Sequence, residues 1–203
     1  MIVCAVTDRR SLGEDLQPFI ARALAAGVDY VQIREKDLTG RELYESARSA
    51  RAAPNPRGGR LLINERLDIA LAAGLDGVHL PSDAPPVDQA RRAAPDGFLI
   101  GVSCHGLDDL RRAAREGADY AVFGPVFDTP SKRRFGAPQG LDRLAAACRE
   151  SAIPVLAIGG VTLENARDCL AAGAAGVAAI SLFQRPDLEF IVARLRESGR
   201  TTE

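Results

Sequence analysis

The chain contains no tryptophan, and aromatic residues fill only 5 % of its 203 positions. Base-stacking surfaces need several rings, so recognition of single strands on an aromatic platform is not expected. Charge of one sign is also missing. Lys+Arg 26 stand against Asp+Glu 27, a net charge of -1. That balance offers no basic field for nucleic acid and no acidic tail. No apolar run approaches the roughly 20 residues that span a bilayer, so no membrane association is expected. The stretch from Met1 to Asp8 lacks a basic start and a cleavage site, and a cytoplasmic location is the expectation. Four cysteines, Cys4, Cys104, Cys148 and Cys169, show no C-x-x-C spacing. They read as reduced packing residues, not as a zinc or thioredoxin-like site. What is present is 46 % hydrophobic content in a length that suits one domain, 1–203, with a sizeable core.

One phrase recurs. It is Ala-Ala-Gly-Val-Asp-Tyr from Ala25, Ala-Ala-Gly-Leu-Asp-Gly from Ala72, Arg-Glu-Gly-Ala-Asp-Tyr from Arg115 and Ala-Ala-Gly-Ala-Ala-Gly from Ala171. Each copy follows a helix-like stretch and precedes a short apolar run. Its glycine is placed to end the helix in the left-handed conformation, which glycine adopts without a Cβ penalty. The runs at 2–6, 30–33, 61–64, 77–80, 98–102, 120–123, 154–158 and 176–180 are apolar throughout. That pattern fits parallel strands buried on both faces. Helical spacing lies between them, as at 15–24 and 140–148. Eight βα units in about 200 residues predict a compact (β/α)8 TIM barrel. A doubly wound open sheet is the alternative, but no Gly-x-Gly-x-x-Gly fingerprint follows the first run. The Pro- and Gly-rich segment 54–59 reads as a surface turn on the non-catalytic face.

A barrel of this kind builds its site at the carboxyl ends of the strands, so the polar residues there are the candidates. Alternation puts Gln32, Arg34 and Lys36 on one side of the second strand, a set suited to phosphate or diphosphate. The competing reading pairs those cations with Glu35 or Asp37. Asn64 can orient a ligand and Glu65 can hold Mg²⁺; on spacing alone, Asn64 reads better as a helix N-cap. His79 lies inside an apolar run and fits a satisfied core histidine. His105 lies beyond the fifth strand and is the better placed of the two histidines for acid–base work. The loop 124–136 carries Thr129, Ser131, Lys132, Arg133 and Arg134. It is long for so small a barrel and reads as a phosphate-contacting segment able to close as a lid. Gly159, Gly160, Ile180 and Ser181 fall after strands seven and eight, the usual phosphate site of the fold.

Six stretches, in order, carry a resemblance. They are Val-Gln-Ile-Arg-Glu-Lys-Asp from Val31, Leu-Ile-Asn-Glu-Arg-Leu-Asp from Leu62, Gly-Val-His-Leu from Gly77, Gly-Val-Ser-Cys-His from Gly101, Gly-Pro-Val-Phe-Asp-Thr-Pro-Ser-Lys from Gly124 and Ala-Ile-Gly-Gly-Val from Ala157. Over nearly its whole length the chain resembles the thiamin-phosphate synthase family. That family, as the resemblance implies, holds two activities on one TIM barrel. The synthase joins hydroxymethylpyrimidine diphosphate to hydroxyethylthiazole phosphate and releases diphosphate. The thiazole tautomerase aromatises the thiazole carboxylate phosphate.

The synthase pattern implies roles for individual residues. Gln32, Arg34, Lys36, Asn64 and Lys132 would bind diphosphate and pyrimidine. Ser103 would stabilise the ionised pyrimidine or the diphosphate, so Ser103, His105 and Lys132 are the catalytic candidates. Thr129 and Ser131 would bind the thiazole substrate and flank the diphosphate, and Gly159, Gly160, Ile180 and Ser181 would hold the thiazole phosphate. The implied Mg²⁺ site departs from the family pattern. Glu65 stands at the first carboxylate position and Ala84 at the second, with Asp83 adjacent as a substitute. That departure, together with Leu80-Pro81-Ser82, is the ground for the tautomerase alternative, in which His105 is the acid–base residue. A non-catalytic binder of thiazole phosphate is a further alternative. Small phosphorylated substrates are the expected partners in every case, and the oligomeric state stays open.

Overall fold

The computed structural model describes residues 1–129 and 137–200. Strands β1 (Ile2–Val6), β2 (Tyr30–Ile33), β3 (Arg60–Asn64), β4 (Gly77–Leu80), β5 (Leu99–Cys104), β6 (Tyr120–Phe123), β7 (Val155–Ile158) and β8 (Gly176–Ala179) alternate with helices. The helices are α1 (Leu16–Ala26), α2 (Gly40–Arg51), α3 (Leu67–Ala73), α4 (Val87–Ala93), α5 (Leu107–Arg115), α6 (Gly140–Glu150), α7 (Ala166–Ala171) and α8 (Leu188–Arg200). Each strand pairs in parallel with the next, and β8 returns to β1 to close the barrel. The predicted architecture is the observed one. One boundary matters for the site: β5 runs two residues past the predicted end, so Ser103 sits within the ladder, opposite Val122.

The recurring glycines do what their position demands. Gly27, Gly74, Gly117 and Gly173 have φ of 87°, 66°, 89° and 96°, a region costly to any residue with a Cβ. The aspartate two residues on has a second role that sequence reasoning missed. Asp29, Asp76 and Asp119 accept hydrogen bonds from the backbone N–H groups of Val3, Leu61 and Ile100, at 2.7, 2.8 and 2.6 Å. Each ties the start of one strand to the turn leading into the next. Arg196 and Arg91 complete two of these contacts at 2.8 and 2.6 Å. The repeat is therefore both a helix stop and a strand clamp at the amino end of the barrel. The 54–59 turn lies at this end too, between α2 and β3, closed by paired Asn55–Gly59 hydrogen bonds.

Two apolar layers hold the fold. The larger packs helices onto the outer face of the sheet. The smaller fills the barrel with Cys4, Val6, Leu62, Tyr120, Val122, Leu156 and Ala178. Tyr120 is its largest member, and the barrel admits the ring only because β5 carries glycine beside it. A Cβ on Gly101 would lie 2.1 Å from Tyr120 Cζ. The cysteines are packing residues as expected: Cys4, Cys104 and Cys169 are buried, and burial pushes the Cys4 and Cys104 thiols up to about 12. No helix among the described residues is long and apolar enough to cross a membrane.

Candidate active site

At the carboxyl ends of the strands a cavity of about 210 Å³ opens into the barrel. Gln32, Arg34, Lys36, Asn64, Ser103 and His105 line it together. A larger hollow, about 540 Å³, lies at the opposite end. Its arginines are already engaged: Arg57 donates to the Ala25 carbonyl, and Arg196 to Met1, Gly27 and Asp29. The mouth is where polar groups remain available.

The end of β2 is held by a buried network. Thr7, fully buried, donates its hydroxyl to Glu35 Oε1 at 2.5 Å and accepts the Arg34 backbone N–H at 2.9 Å. The other Glu35 oxygen accepts from the Arg9 backbone N–H at 3.0 Å. Glu35 thus faces away from the cavity and fixes the strand end, and it does not neutralise Arg34. Asp37 is taken by Arg9 and Arg10. Among the described residues Arg34 has no carboxylate partner. Lys36 Nζ lies 3.5 Å from Glu65. Arg34 and Lys36 line one cavity, as alternation along β2 requires, and neither pairs with Glu35 or Asp37 because those carboxylates serve the loop after β1.

Asn64 is not a helix cap. The α3 cap position is Arg66, and Asn64 Oδ1 accepts from Gln32 Nε2 at 3.1 Å inside the cavity. Glu65, the next residue, has φ 66°. It is the non-glycine residue in this region among those described, held there by a 2.9 Å hydrogen bond from its N–H to the His79 carbonyl. Such a conformation costs a side-chain-bearing residue about 1–2 kcal/mol and is characteristic of sites that over-determine their geometry.

His79 is the satisfied interior histidine of the sequence reading, yet it also borders the site. Its Nε2 lies 2.9 Å from Ser103 Oγ and its Nδ1 3.1 Å from the Tyr120 hydroxyl. Burial, with a smaller contribution from the Arg34 charge, pushes its pKa down to about 4. It is therefore neutral near pH 7. His105 is exposed, with Nδ1 2.7 Å from the Gly124 carbonyl. A carbonyl only accepts, so Nδ1 carries the proton in the neutral ring and Nε2 is left as an acceptor.

Beyond β6 the chain doubles onto the β7 turn. Val126 and Phe127 donate to the carbonyls of Ile158 and Gly159 at 2.8 and 3.0 Å. A Cβ on Gly159 would lie 2.5 Å from Pro125 Cβ, and one on Gly160 2.7 Å from the Asp128 carbonyl oxygen. Both glycines have positive φ. They let the two loops meet, and Gly159 and Ile180 line the cavity. Gly160 and Ser181 lie beside it without lining it; Ser181 is exposed. Thr129 is the last described residue before the gap, and Ser131 and Lys132 lie outside the described residues.

A sequence model described as thiamine monophosphate synthase matches residues 3–183. The chain belongs to the thiamine monophosphate synthase family. It is 52 % identical over 177 residues to a Geobacter sulfurreducens protein provisionally named a thiamine-phosphate synthase, covering 87 % of this chain and 83 % of that one. It is 46 % identical over 159 residues to a Methanoculleus marisnigri thiamine-phosphate synthase, covering 78 % and 75 %. Among solved structures, a thiamine phosphate pyrophosphorylase from Pyrococcus furiosus superposes with a TM-score of 0.87 at 31 % identity, covering 99 % of this chain and 96 % of that one. These relatives carry synthase names, and the tautomerase reading finds no support in them.

The magnesium site implied by the family resemblance does not fit these residues. Asp83 is exposed and does not line the cavity, so it does not replace the carboxylate absent at Ala84. The physical reason is the turn at 81–84, closed by a hydrogen bond from the Ala84 N–H to the Pro81 carbonyl at 3.2 Å. It leaves Pro81 and Ser82 facing the cavity and packs Ala84 against the core. Glu65, the remaining carboxylate, is beside Lys36. No group of three His, Cys, Asp or Glu side chains among the described residues is arranged to hold a metal.

Proposed function

We propose that this mouth is the active site of a thiamine-phosphate synthase, which joins hydroxymethylpyrimidine diphosphate to hydroxyethylthiazole phosphate. The observation that carries the reading is the convergence of Arg34, Lys36, Gln32 and Asn64 with Ser103 in one cavity of a family member. In the reaction the bond between the pyrimidine methylene and the diphosphate oxygen breaks, and diphosphate keeps the electron pair. The thiazole nitrogen then donates its lone pair to the pyrimidine cation. Little proton transfer is needed, so the protein's contribution is positioning and stabilisation of separating charges.

Arg34 and Lys36 meet the charge that develops on the leaving diphosphate, Arg34 through a planar fork suited to two phosphate oxygens. The Gln32–Asn64 pair presents amide groups to the pyrimidine. Ser103, at the cavity wall, hydrogen-bonds the pyrimidine or the bridging end of the diphosphate. Backbone N–H groups around Gly159, Gly160, Ile180 and Ser181 receive the thiazole phosphate, and Thr129 contacts the thiazole. Because the carboxylates do not form a two-ligand magnesium site, no step is assigned to a metal held by the protein.

The test is an assay of purified protein with both substrates and excess Mg²⁺, following diphosphate release. Release that falls at least about a hundred-fold in Arg34→Gln is expected, the loss of a charge-assisted pair aimed at the transition state. Absence of release from the parent protein at saturating substrates overturns the assignment.

A further inference from the structure

Tyr120 is buried in the barrel beneath His79, which lines the cavity, and no role in the reaction has been given to it. Its row is set by strand register: Asn64 pairs with His79, His79 with Gly101, and Gly101 with Tyr120. Glycine at 101 opens the space through which the Tyr120 hydroxyl reaches the imidazole. Among the described residues that hydroxyl has one hydrogen-bond partner, His79 Nδ1 at 3.1 Å. Ser103 Oγ likewise has one, His79 Nε2 at 2.9 Å.

A neutral imidazole has one donor and one acceptor, so two proton orders are available. If Nδ1 carried the proton, it would donate to Tyr120, and the buried Tyr120 O–H would be left without an acceptor. A buried unsatisfied donor is the costly outcome. If Nε2 carries the proton, every group is satisfied. Tyr120 donates to Nδ1, Nε2–H donates to Ser103 Oγ, and the Ser103 proton is directed into the cavity. We infer that Tyr120 and His79 are positioning residues that fix Ser103 as a hydrogen-bond donor toward an acceptor atom of the substrate. This inference rests on the synthase reading for its consequence in catalysis, and on geometry alone for the proton order.

The two parts separate in experiment. Only two histidines are present, so ¹⁵N-histidine labelling of the whole chain resolves the tautomers by long-range ¹H–¹⁵N correlation, with His105→Gln giving the assignment. The expected His79 form near pH 7.5 is Nε2–H. A dominant Nδ1–H form overturns the inference whether or not the protein turns over substrate. Tyr120→Phe removes one atom and leaves the ring in place. It is expected to lower the Nε2–H population and to reduce kcat about ten-fold, with KM changed less than about two-fold, as for loss of an oriented hydrogen bond. His79→Gln, which keeps an N–H near Ser103, is expected to retain about ten-fold more activity than His79→Leu. A folded Tyr120→Phe enzyme with unchanged kcat refutes the positioning role. Loss of the synthase activity in the parent would instead sink the assignment of function and leave the tautomer result standing.

Discussion

Acidification is expected to weaken the fold through one buried imidazole. His79 is 3 % exposed, and burial, assisted by the Arg34 charge, holds its pKa at about 4 instead of the ordinary 6.5. Between those two values the unfolded chain binds a proton that the folded chain refuses, so stability rises with pH across the window and is lost as pH falls. A one-site linkage gives a loss of about 2 kcal/mol between pH 8 and pH 5, growing to about 3 kcal/mol once pH drops below the folded value. That is a large share of a stability of about 5–15 kcal/mol. The assay is urea unfolding at pH 8, 7, 6 and 5 for the parent and for His79→Gln, whose amide does not titrate. All other titratable groups are common to both proteins, so the difference between the two pH profiles isolates His79. Parallel profiles, or a folded-state His79 titration midpoint near 6.5 by NMR, would refute the account of how this side chain is housed.

Other perturbations follow from the same geometry. Gly101→Ala places a Cβ against the fully buried Tyr120 ring; a destabilisation of about 3 kcal/mol is expected in urea melts, and a loss under about 1 kcal/mol would mean the ring can move aside. Thr7→Val strips Glu35 of its hydroxyl donor and Arg34 N–H of its acceptor. A loss of about 2 kcal/mol is expected, together with a several-fold rise in KM for the diphosphate substrate; unchanged KM would show that the strand end needs no such brace. Magnesium titrated calorimetrically into the protein without substrate is expected to show no binding tighter than about 1 mM. A tighter site abolished by Asp83→Ala would place that carboxylate back at the mouth.

The architecture was legible because each of its determinants is local. Gly27, Gly74, Gly117 and Gly173 mark helix ends by a backbone requirement that operates within one turn, and the uniformly apolar runs between them mark buried parallel strands. From eight such units the location of the site follows by topology, and Gln32, Arg34, Lys36, Ser103 and His105 are candidates by position alone. Contacts across the barrel were not legible. Nothing in the spacing of Thr7 and Glu35, 28 residues apart, announces a hydrogen bond between loops that follow adjacent strands. The same holds for Tyr120 and His79, whose meeting depends on strand register and on the absence of a Cβ at position 101. The one signal available was the glycine inside an apolar strand run, which marks close approach of another group.

The metal positions show why a motif match and a site must be argued separately. Residue by residue, Glu65 and Asp83 stand close to the places where carboxylates are wanted, and a longer or shifted side chain looks able to compensate. The fold decides otherwise through backbone direction: the turn at 81–84 sends Asp83 to solvent, while Glu65, at φ 66°, comes to lie beside Lys36. Charge compensation for an anionic leaving group then falls to cations. Arg34 fits that task because its backbone is fixed from behind by Thr7 and Glu35 and its guanidinium meets no carboxylate among the described residues. Cations already placed at the mouth favour charge development there, the condition under which electrostatic stabilisation lowers a barrier. The buried Glu35 orders the loop after β1 and the end of β2 and leaves Arg34 without a carboxylate partner among the described residues.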